Sequence, residues 1–193
     1  MSFDVRRLAT TQGRIAPVNA RFAPAFCFVL LTASCILASF TFACATPFAA
    51  FAVVAAAMLP LPSALLVVGA AWIVNQAIGF GALGYPHDTN TLLWGLAIGL
   101  AALTATVCAK AILRAWPRIV AIALAAAVLA AYASYEVVLL AFTPALGGAG
   151  AFTATIVIRL GLLNLFWLIG LIAVCAVFRR AAMLWWRQPE FRA

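Results

Sequence analysis

Charged residues are scarce in this chain. They make up 8% of its 193 residues, whereas a soluble domain carries roughly a quarter. Hydrophobic residues account for 68%, more apolar surface than a single core can hide. The composition therefore excludes a soluble protein and makes the lipid bilayer the solvent. Because the apolar runs are continuous and do not alternate with period two, they predict membrane-spanning helices and exclude an outer-membrane barrel.

Signatures of catalysis and of metal binding are also missing. The sequence has one histidine, no HExxH motif, no nucleotide-binding Walker loop and no pair of carboxylates on one helix face. Its five cysteines lie in apolar runs without CxxC spacing, so we interpret them as packing residues. We expect no enzymatic activity and no cofactor of the protein's own.

What the chain does contain is a series of long apolar runs. Prolines, glycines and short polar turns divide them, and the Pro60-Leu61-Pro62 break cuts a run too long for one crossing. The small residues at Ala43-Cys44-Ala45 resemble a signal-cleavage site, but the preceding run is long enough for a span. The predicted spans cover residues 23–44, 47–59, 62–82, 91–113, 119–142 and 153–178.

The distribution of positive charge predicts how these helices are oriented. The net charge is +8, but every basic residue except Arg159 lies in one of the two termini or in the loop near Pro117. With six crossings, both termini and the loop near Pro117 lie on the same side of the membrane. The positive-inside rule identifies this side as the cytoplasm. The charge is thus topological and does not indicate nucleic-acid binding. We expect an all-α protein of the bacterial inner membrane, with six transmembrane helices in 23–178 and cytoplasmic tails 1–22 and 179–193.

Polar side chains concentrate in the outer half of this predicted bundle. The densest stretch runs from Trp72 to Asn90 and contains an Asn-Gln pair, the single histidine and one of four acidic residues. By helical rise, Glu136 and Arg159 lie at a similar depth on the last two spans. The candidate ligand-binding residues are Trp72, Asn75, Gln76, Tyr85, His87, Asp88, Asn90, Trp94, Tyr135, Glu136 and Arg159.

Each group of these residues also has a purely structural interpretation. Glu136 and Arg159 are predicted to pair, either to lock two helices together or to line a ligand pocket. Asn75 and Gln76 suit interhelical hydrogen bonds as well as a binding site. His87 and Asp88 are predicted to lie in a solvated turn. Alternatively, they belong to a lid over the site, and the imidazole of His87 is a candidate metal ligand.

The segment from Trp72 to Pro86, followed by Trp94-Gly95, resembles the substrate-binding S-components of energy-coupling-factor (ECF) vitamin transporters. The similarity is greatest to cobalamin-specific members, including the solitary BtuM-like type. The number and arrangement of the predicted helices are similar over the whole chain, whereas the sequence motif itself is similar over about 25 residues. The resemblance implies a six-helix bundle that captures a vitamin from the periplasm and works with a coupling subunit and two ATPases, or alone.

One departure from that family concerns the cobalt ligand. The BtuM-like type is associated with a cysteine near the outer end of the third span, and no cysteine lies between Cys44 and Cys108 here. A protein ligand to the cobalt of bound cobalamin would have to be His87. Cysteine-dependent decyanation is therefore not expected.

Three functions follow as hypotheses, of which the third is an independent permease for a small cation or metabolite. The first is a vitamin-uptake subunit with cobalamin as its substrate, in which the small-residue motifs Ser34-xxx-Ala38 and Ala52-xxx-Ala56 form a coupling surface. The second is a non-transport assembly factor or structural subunit of a larger membrane complex. A pocket lined by residues near Trp72, Asn75, Tyr85, His87 and Trp94 favours the first, and tight packing there favours the second.

Overall fold

The computed structural model describes residues 21–42, 45–115 and 120–185, and the regular structure within them is entirely helical. The helices are α1 Ala23–Phe42, α2 Phe48–Met58, α3 Leu61–Gly81, α4 Thr89–Ala115, α5 Val120–Leu146 and α6 Ala154–Trp185. A 3₁₀ turn, Ala149–Phe152, precedes α6. All but α2 are long and apolar enough to cross a membrane. The prediction of an all-helical, multi-pass membrane protein is confirmed at this level.

The second predicted span is the one that differs from an ordinary crossing. Helix α2 has 11 residues, which corresponds to about 16 Å of rise against a hydrocarbon core of about 30 Å. Pro47 occupies its N-cap position, and Leu59 takes an extended conformation directly before Pro60. Because proline restricts the residue before it to extended geometry, the helix stops there.

Helix α2 lies at the centre of the bundle. All of its residues are buried, and it contacts each of the other five helices. Its alanines have no side chain beyond Cβ, so neighbouring helices approach it closely on every side. The chain thus surrounds one short helix with five long ones, and lipid does not reach α2.

The surrounding helices form an almost complete ring. Helix α3 packs on α1 and α4, α4 on α5, and α5 on α6. Between α1 and α6 the ring is bridged by side chains: Trp167 Nε1 donates to Ser34 Oγ at 2.6 Å, and Phe26 meets Phe178 ring to edge at 5.5 Å. We call this junction the α1–α6 seam.

Contacts along the helices show their directions. The Cys35 thiol donates to the Ala71 carbonyl at 3.2 Å, and Asn75 reaches Ser39 further along, so α1 and α3 run parallel. Helix α2 returns between them. The Phe26–Phe178 contact places the start of α1 and the end of α6 at the same end of the bundle. We call this end the basic end, since Arg21, Arg114 and Arg180 lie there. We call the opposite end, which contains residues 82–88 and 147–153, the loop end.

The proposed coupling surface is corrected by this arrangement. Ala52 and Ala56 are 0% and 1% exposed, and Ala38 is 0% exposed. Ser34 is engaged by Trp167. These small residues face inward because they provide the close helix contacts of the core. They are therefore unable to present a surface to a partner subunit.

Candidate functional site

The Asn-Gln pair of α3 is used for contacts between helices. Asn75 Nδ2 donates to Ser39 Oγ of α1 at 3.0 Å and to Thr46 Oγ1 of the α1–α2 connection at 2.9 Å. Gln76 Nε2 donates to Asn75 Oδ1 at 3.2 Å. This network ties the loop end of α1 and the entry to α2 onto α3, so the amide groups are already paired within the bundle.

Trp72 and Gln76 attach α3 to α4 through glycines. The indole Nε1 of Trp72 donates to the Gly95 carbonyl at 2.9 Å. A Cβ at Gly99 would lie 2.6 Å from the indole ring, and one at Gly95 would lie 2.5 Å from Gln76 Oε1. The motif Gly95-xxx-Gly99 thus permits close packing of α3 on α4: a Cβ at Gly99 would collide with the indole ring, and one at Gly95 would force the end of the Gln76 side chain to move.

The loop between α3 and α4 is organised by aromatic contacts. Tyr85 lies over Gly79, where a Cβ would be 2.6 Å from its ring. Phe80 contacts Tyr85 edge to face at 6.2 Å and the imidazole of His87 at 5.4 Å. His87 is exposed, and the turn passes through Gly84 at a φ of 67°, a conformation that favours glycine. The loop therefore holds His87 at the surface of the loop end.

Asp88 caps the N-terminus of α4. Its Oδ1 accepts the Thr91 backbone N–H at 2.9 Å, and its Oδ2 accepts the Thr91 hydroxyl at 2.9 Å. These hydrogen bonds, led by the backbone one, stabilise the charged carboxylate and lower the pKa of Asp88. Asn90 is exposed in the same first turn. The carboxylate thus has a complete structural role as a helix cap.

The remaining candidate residues lie on different helices and do not meet at one place. Tyr135 stacks on Phe48 at the start of α2, with ring centroids 6.5 Å apart. Half-buried Glu136 lies one turn beyond Tyr132 on α5. Trp94 packs against the loop between α5 and α6, and its ring lies 3.4 Å from the position that a Cβ of Gly148 would take.

The predicted ion pair between Glu136 and Arg159 is wrong. Both residues lie in the described part of the chain, and no salt bridge joins them there. The reason is the rotation of α6 about its axis. Tyr132 Oη donates to the Val157 carbonyl at 2.6 Å, and its ring rests on Gly161, so these positions face α5. Arg159 is two residues from each, about 200° around the helix, and points away from α5.

Arg159 lines a cavity of about 780 Å³ at the loop end of the α1–α6 seam. Its walls are the last turn of α1, the first half of α6, and Leu83 from the α3–α4 loop. The described residues that line it are Ser39, Phe40, Thr41, Phe42, Ala45, Leu83, Ile156, Arg159, Leu160, Leu162, Leu163 and Phe166. Of the predicted site residues it contains Arg159; Trp72, Asn75, Tyr85, His87 and Trp94 do not line this cavity.

Two polar residues outside the predicted set have a central role instead. Lys110, 9% exposed near the end of α4, donates from Nζ to the carbonyls of Ala56 at 2.7 Å and Leu59 at 2.6 Å. It therefore caps the C-terminus of α2, where the helix dipole favours a cation. We had assigned Lys110 to a basic loop; its place inside the predicted span 91–113 was the available signal of a lysine within the bundle, although it did not give the direction of the side chain.

Asn164 caps the other end of α2. Its Oδ1 accepts the Ala50 backbone N–H at 3.1 Å, while its Nδ2 donates to the Leu160 carbonyl at 3.0 Å. Buried helix ends leave backbone groups without partners, and here side chains from α4 and α6 supply them. The lone intramembrane asparagine of the last span was the available signal, since such a residue needs a hydrogen-bonding partner.

The cysteines and metal-binding groups give a simple result. Cys27, Cys35 and Cys175 are buried free thiols, and Cys108 is partly buried and free; Cys44 lies outside the described residues. Within the described ranges, no group of three or more His, Cys, Asp and Glu side chains could hold a metal ion.

No protein-family model, curated protein or solved structure matches this chain.

Proposed function

We propose that the protein is a membrane-embedded substrate-binding subunit for the uptake of a small metabolite, with a vitamin as its substrate class and cobalamin as the first candidate. The observation that carries this proposal is the cavity of about 780 Å³ at the loop end of the α1–α6 seam. Its volume is within the roughly 300–1,000 Å³ usual for small-molecule sites. It opens opposite the basic end, which the positive-inside rule assigns to the cytoplasm of a bacterial inner membrane.

Cobalamin is larger than this cavity, so part of it would extend over the adjoining loop. Leu83 is a wall of the cavity, and Tyr85 and His87 follow it within four residues. In this arrangement the imidazole of His87 approaches the cobalt of the substrate from the aqueous side. Uptake would then depend on an ECF coupling subunit with two ATPases, or on the protein acting alone.

The test is the visible spectrum of protein purified from cells grown with cobalamin. We expect a coloured preparation, and we expect His87→Ala to shift the absorption bands because the ligand on cobalt changes. Thr89→Ala, an exposed neighbour outside the candidate binding residues, is the matched control and should leave the bands unchanged. A colourless preparation that also fails to bind cobalamin on titration would rule out this substrate. Identical spectra for His87→Ala and the unaltered protein would remove His87 as a ligand.

The alternative is a non-transport structural subunit or assembly factor. It is favoured by the packing of the predicted site: Trp72, Asn75 and Gln76 are hydrogen-bonded to groups within the bundle, and neither these residues nor Tyr85, His87 and Trp94 line the cavity at the seam. On this hypothesis the polar groups serve packing, and the protein should leave the membrane in a stoichiometric complex with another subunit. Native mass spectrometry after extraction in a mild detergent distinguishes the two by the partner found. No partner, or a coupling subunit together with ATPases, supports the uptake subunit, and a stoichiometric partner without ATPases supports the alternative.

A further inference from the structure

Arg159 is an unusual residue in this chain. It is the one basic residue outside the termini and the cytoplasmic loop of the sequence. Its side chain is exposed at the cavity and forms no ion pair or hydrogen bond with any other described residue. A guanidinium in the outer half of a membrane bundle is costly and is usually retained for a function or a partner.

The rest of the cavity lining provides no compensating charge. Nine of its twelve residues are apolar, and the two hydroxyls have partners. Ser39 Oγ accepts from Asn75, and Thr41 Oγ1 donates to the Leu37 carbonyl at 2.7 Å. The cavity is thus an apolar groove with a single fixed cation at its side, and its electrostatic complement is an anion attached to an apolar body.

The groove also has a limited depth. Trp167 follows Phe166, the deepest α6 residue of the lining, and bridges the seam by its hydrogen bond to Ser34 and an edge contact with Phe42 at 5.7 Å. Trp167 lies eight residues beyond Arg159, which corresponds to about 12 Å along the helix. An apolar body longer than this would run into the tryptophan.

Access to the groove is from the side. Phe40 and Phe166, which stand on its two walls, are 60% and 68% exposed on the outer surface of the bundle. In a bilayer these rings face the acyl chains of the outer leaflet. A ligand that partitions into this leaflet could therefore enter between α1 and α6 without passing through the bundle.

We infer that the cavity binds a short amphipathic anion, with a carboxylate or phosphate on Arg159 and an apolar body of limited length directed toward Trp167. This inference rests on the uptake role in the proposed function and names, in place of cobalamin, a smaller substrate class for the same cavity. We commit to a free metabolite as the occupant, because the part of the groove between α1 and α6 ends at Trp167 and holds only a short apolar body. A phospholipid whose acyl chains leave through the open side is the outcome that native mass spectra distinguish. Guanidinium binds carboxylate and phosphate in the same bidentate manner, so the two head groups are one chemistry here.

The experiment uses ω-bromooctanoate, whose bromine quenches a tryptophan near the end of the apolar chain. The full-length protein in detergent micelles should show saturable quenching, and Trp167→Phe should reduce its amplitude while calorimetry still detects binding. Arg159→Gln should weaken the affinity at least about tenfold, the value of one charge-assisted contact. Arg159→Lys should restore part of it. Arg180→Gln, at the basic end of the same helix, is the matched control and should bind normally.

Three results would overturn the inference. Equal, non-saturable quenching by ω-bromooctanol and ω-bromooctanoate would show a purely apolar groove. Unchanged affinity in Arg159→Gln, with an unchanged unfolding midpoint, would remove the cation from the site. Retention of phosphatidylglycerol in native mass spectra of the unaltered protein, lost in Arg159→Gln and not displaced by octanoate, would identify a lipid head group. None of these results decides the uptake proposal, because the cobalamin spectrum tests that proposal independently of anion binding.

Discussion

The centre of the bundle and the α1–α6 seam are built from the same kinds of residue but are completed to different degrees. Helix α2 is buried along its whole length, and both of its ends are capped by side chains from other helices. The seam is bridged by a few long side chains and leaves a cavity whose guanidinium has no ionic or hydrogen-bonding partner among the described residues. The core is thus closed by its own side chains, whereas the incompletely packed seam has room for the ligand that we propose.

The largest effect should come from opening the core. Lys110→Met removes the hydrogen bonds to the Ala56 and Leu59 carbonyls and leaves both acceptors buried. We expect a loss of about 2–4 kcal/mol in unfolding free energy, since each orphaned buried acceptor costs roughly 1–3 kcal/mol. Denaturation by dodecyl sulfate, followed by circular dichroism, measures it. Arg114→Met, exposed one turn later on α4, should change stability by less than about 0.5 kcal/mol. Equal effects of the two substitutions would contradict the capping role.

A second prediction compares two helical glycines. Gly99→Ala would place a Cβ 2.6 Å from the Trp72 indole and should destabilise the protein by about 1–3 kcal/mol through overpacking. Gly170→Ala meets no described atom within 4 Å, so it should stabilise the protein by about 0.5–1 kcal/mol through helix propensity. Chemical denaturation of both variants tests the opposite signs. The same sign at both positions would show that close packing does not distinguish α3–α4 from the outer face of α6.

The smallest effect should come from the seam. Ser34→Ala removes the acceptor of the Trp167 indole and should cost about 0.6 kcal/mol, the average for interhelical hydrogen bonds in membranes. Thr104→Val is the control, because its hydroxyl bonds the Leu100 carbonyl within the same helix. Unfolding free energies of the two variants in the same detergent provide the measurement. A loss as large as that of Lys110→Met would mean that the seam is as tightly organised as the core.

The ends of the helices were predictable from the sequence. Helix α2 was expected over 47–59 and forms at Phe48–Met58, because the prolines on either side fix where its hydrogen bonding starts and stops. The other five predicted spans agree within four residues at the ends that the structure describes, except that α6 continues seven residues past 178 to Trp185. Hydropathy falls where polar turns begin, which is why most ends were found. The depth of a residue along a helix follows from its number of residues from the helix end. Once the helix ends are known, the depth of each polar residue can therefore be predicted.

Rotation about the helix axis was not predictable in the same way. In a bilayer the face toward lipid and the face toward protein are both apolar, so the period of 3.6 residues carries little information. Glu136 and Arg159 were placed at similar depth and then assumed to face each other, whereas the packing of Tyr132 on Gly161 turns Arg159 toward the seam. Lys110 was missed for the same reason: its depth near the basic end suited a solvated lysine, and its inward direction depended on the position of α2.

The caps of α2 have a consequence for how the protein is made. Lys110 and Asn164 lie 54 and 114 residues beyond the backbone groups that they bind, so α2 leaves the ribosome long before either partner exists. A helix of this length is too short to be held by lipid alone, and it must wait beside α1 and α3 until the later helices arrive. Synthesis of the last helix therefore completes the first hairpin. A chain released before Asn164 therefore lacks one of the two caps of α2, and we expect its central helix to be less stably held than in the complete bundle.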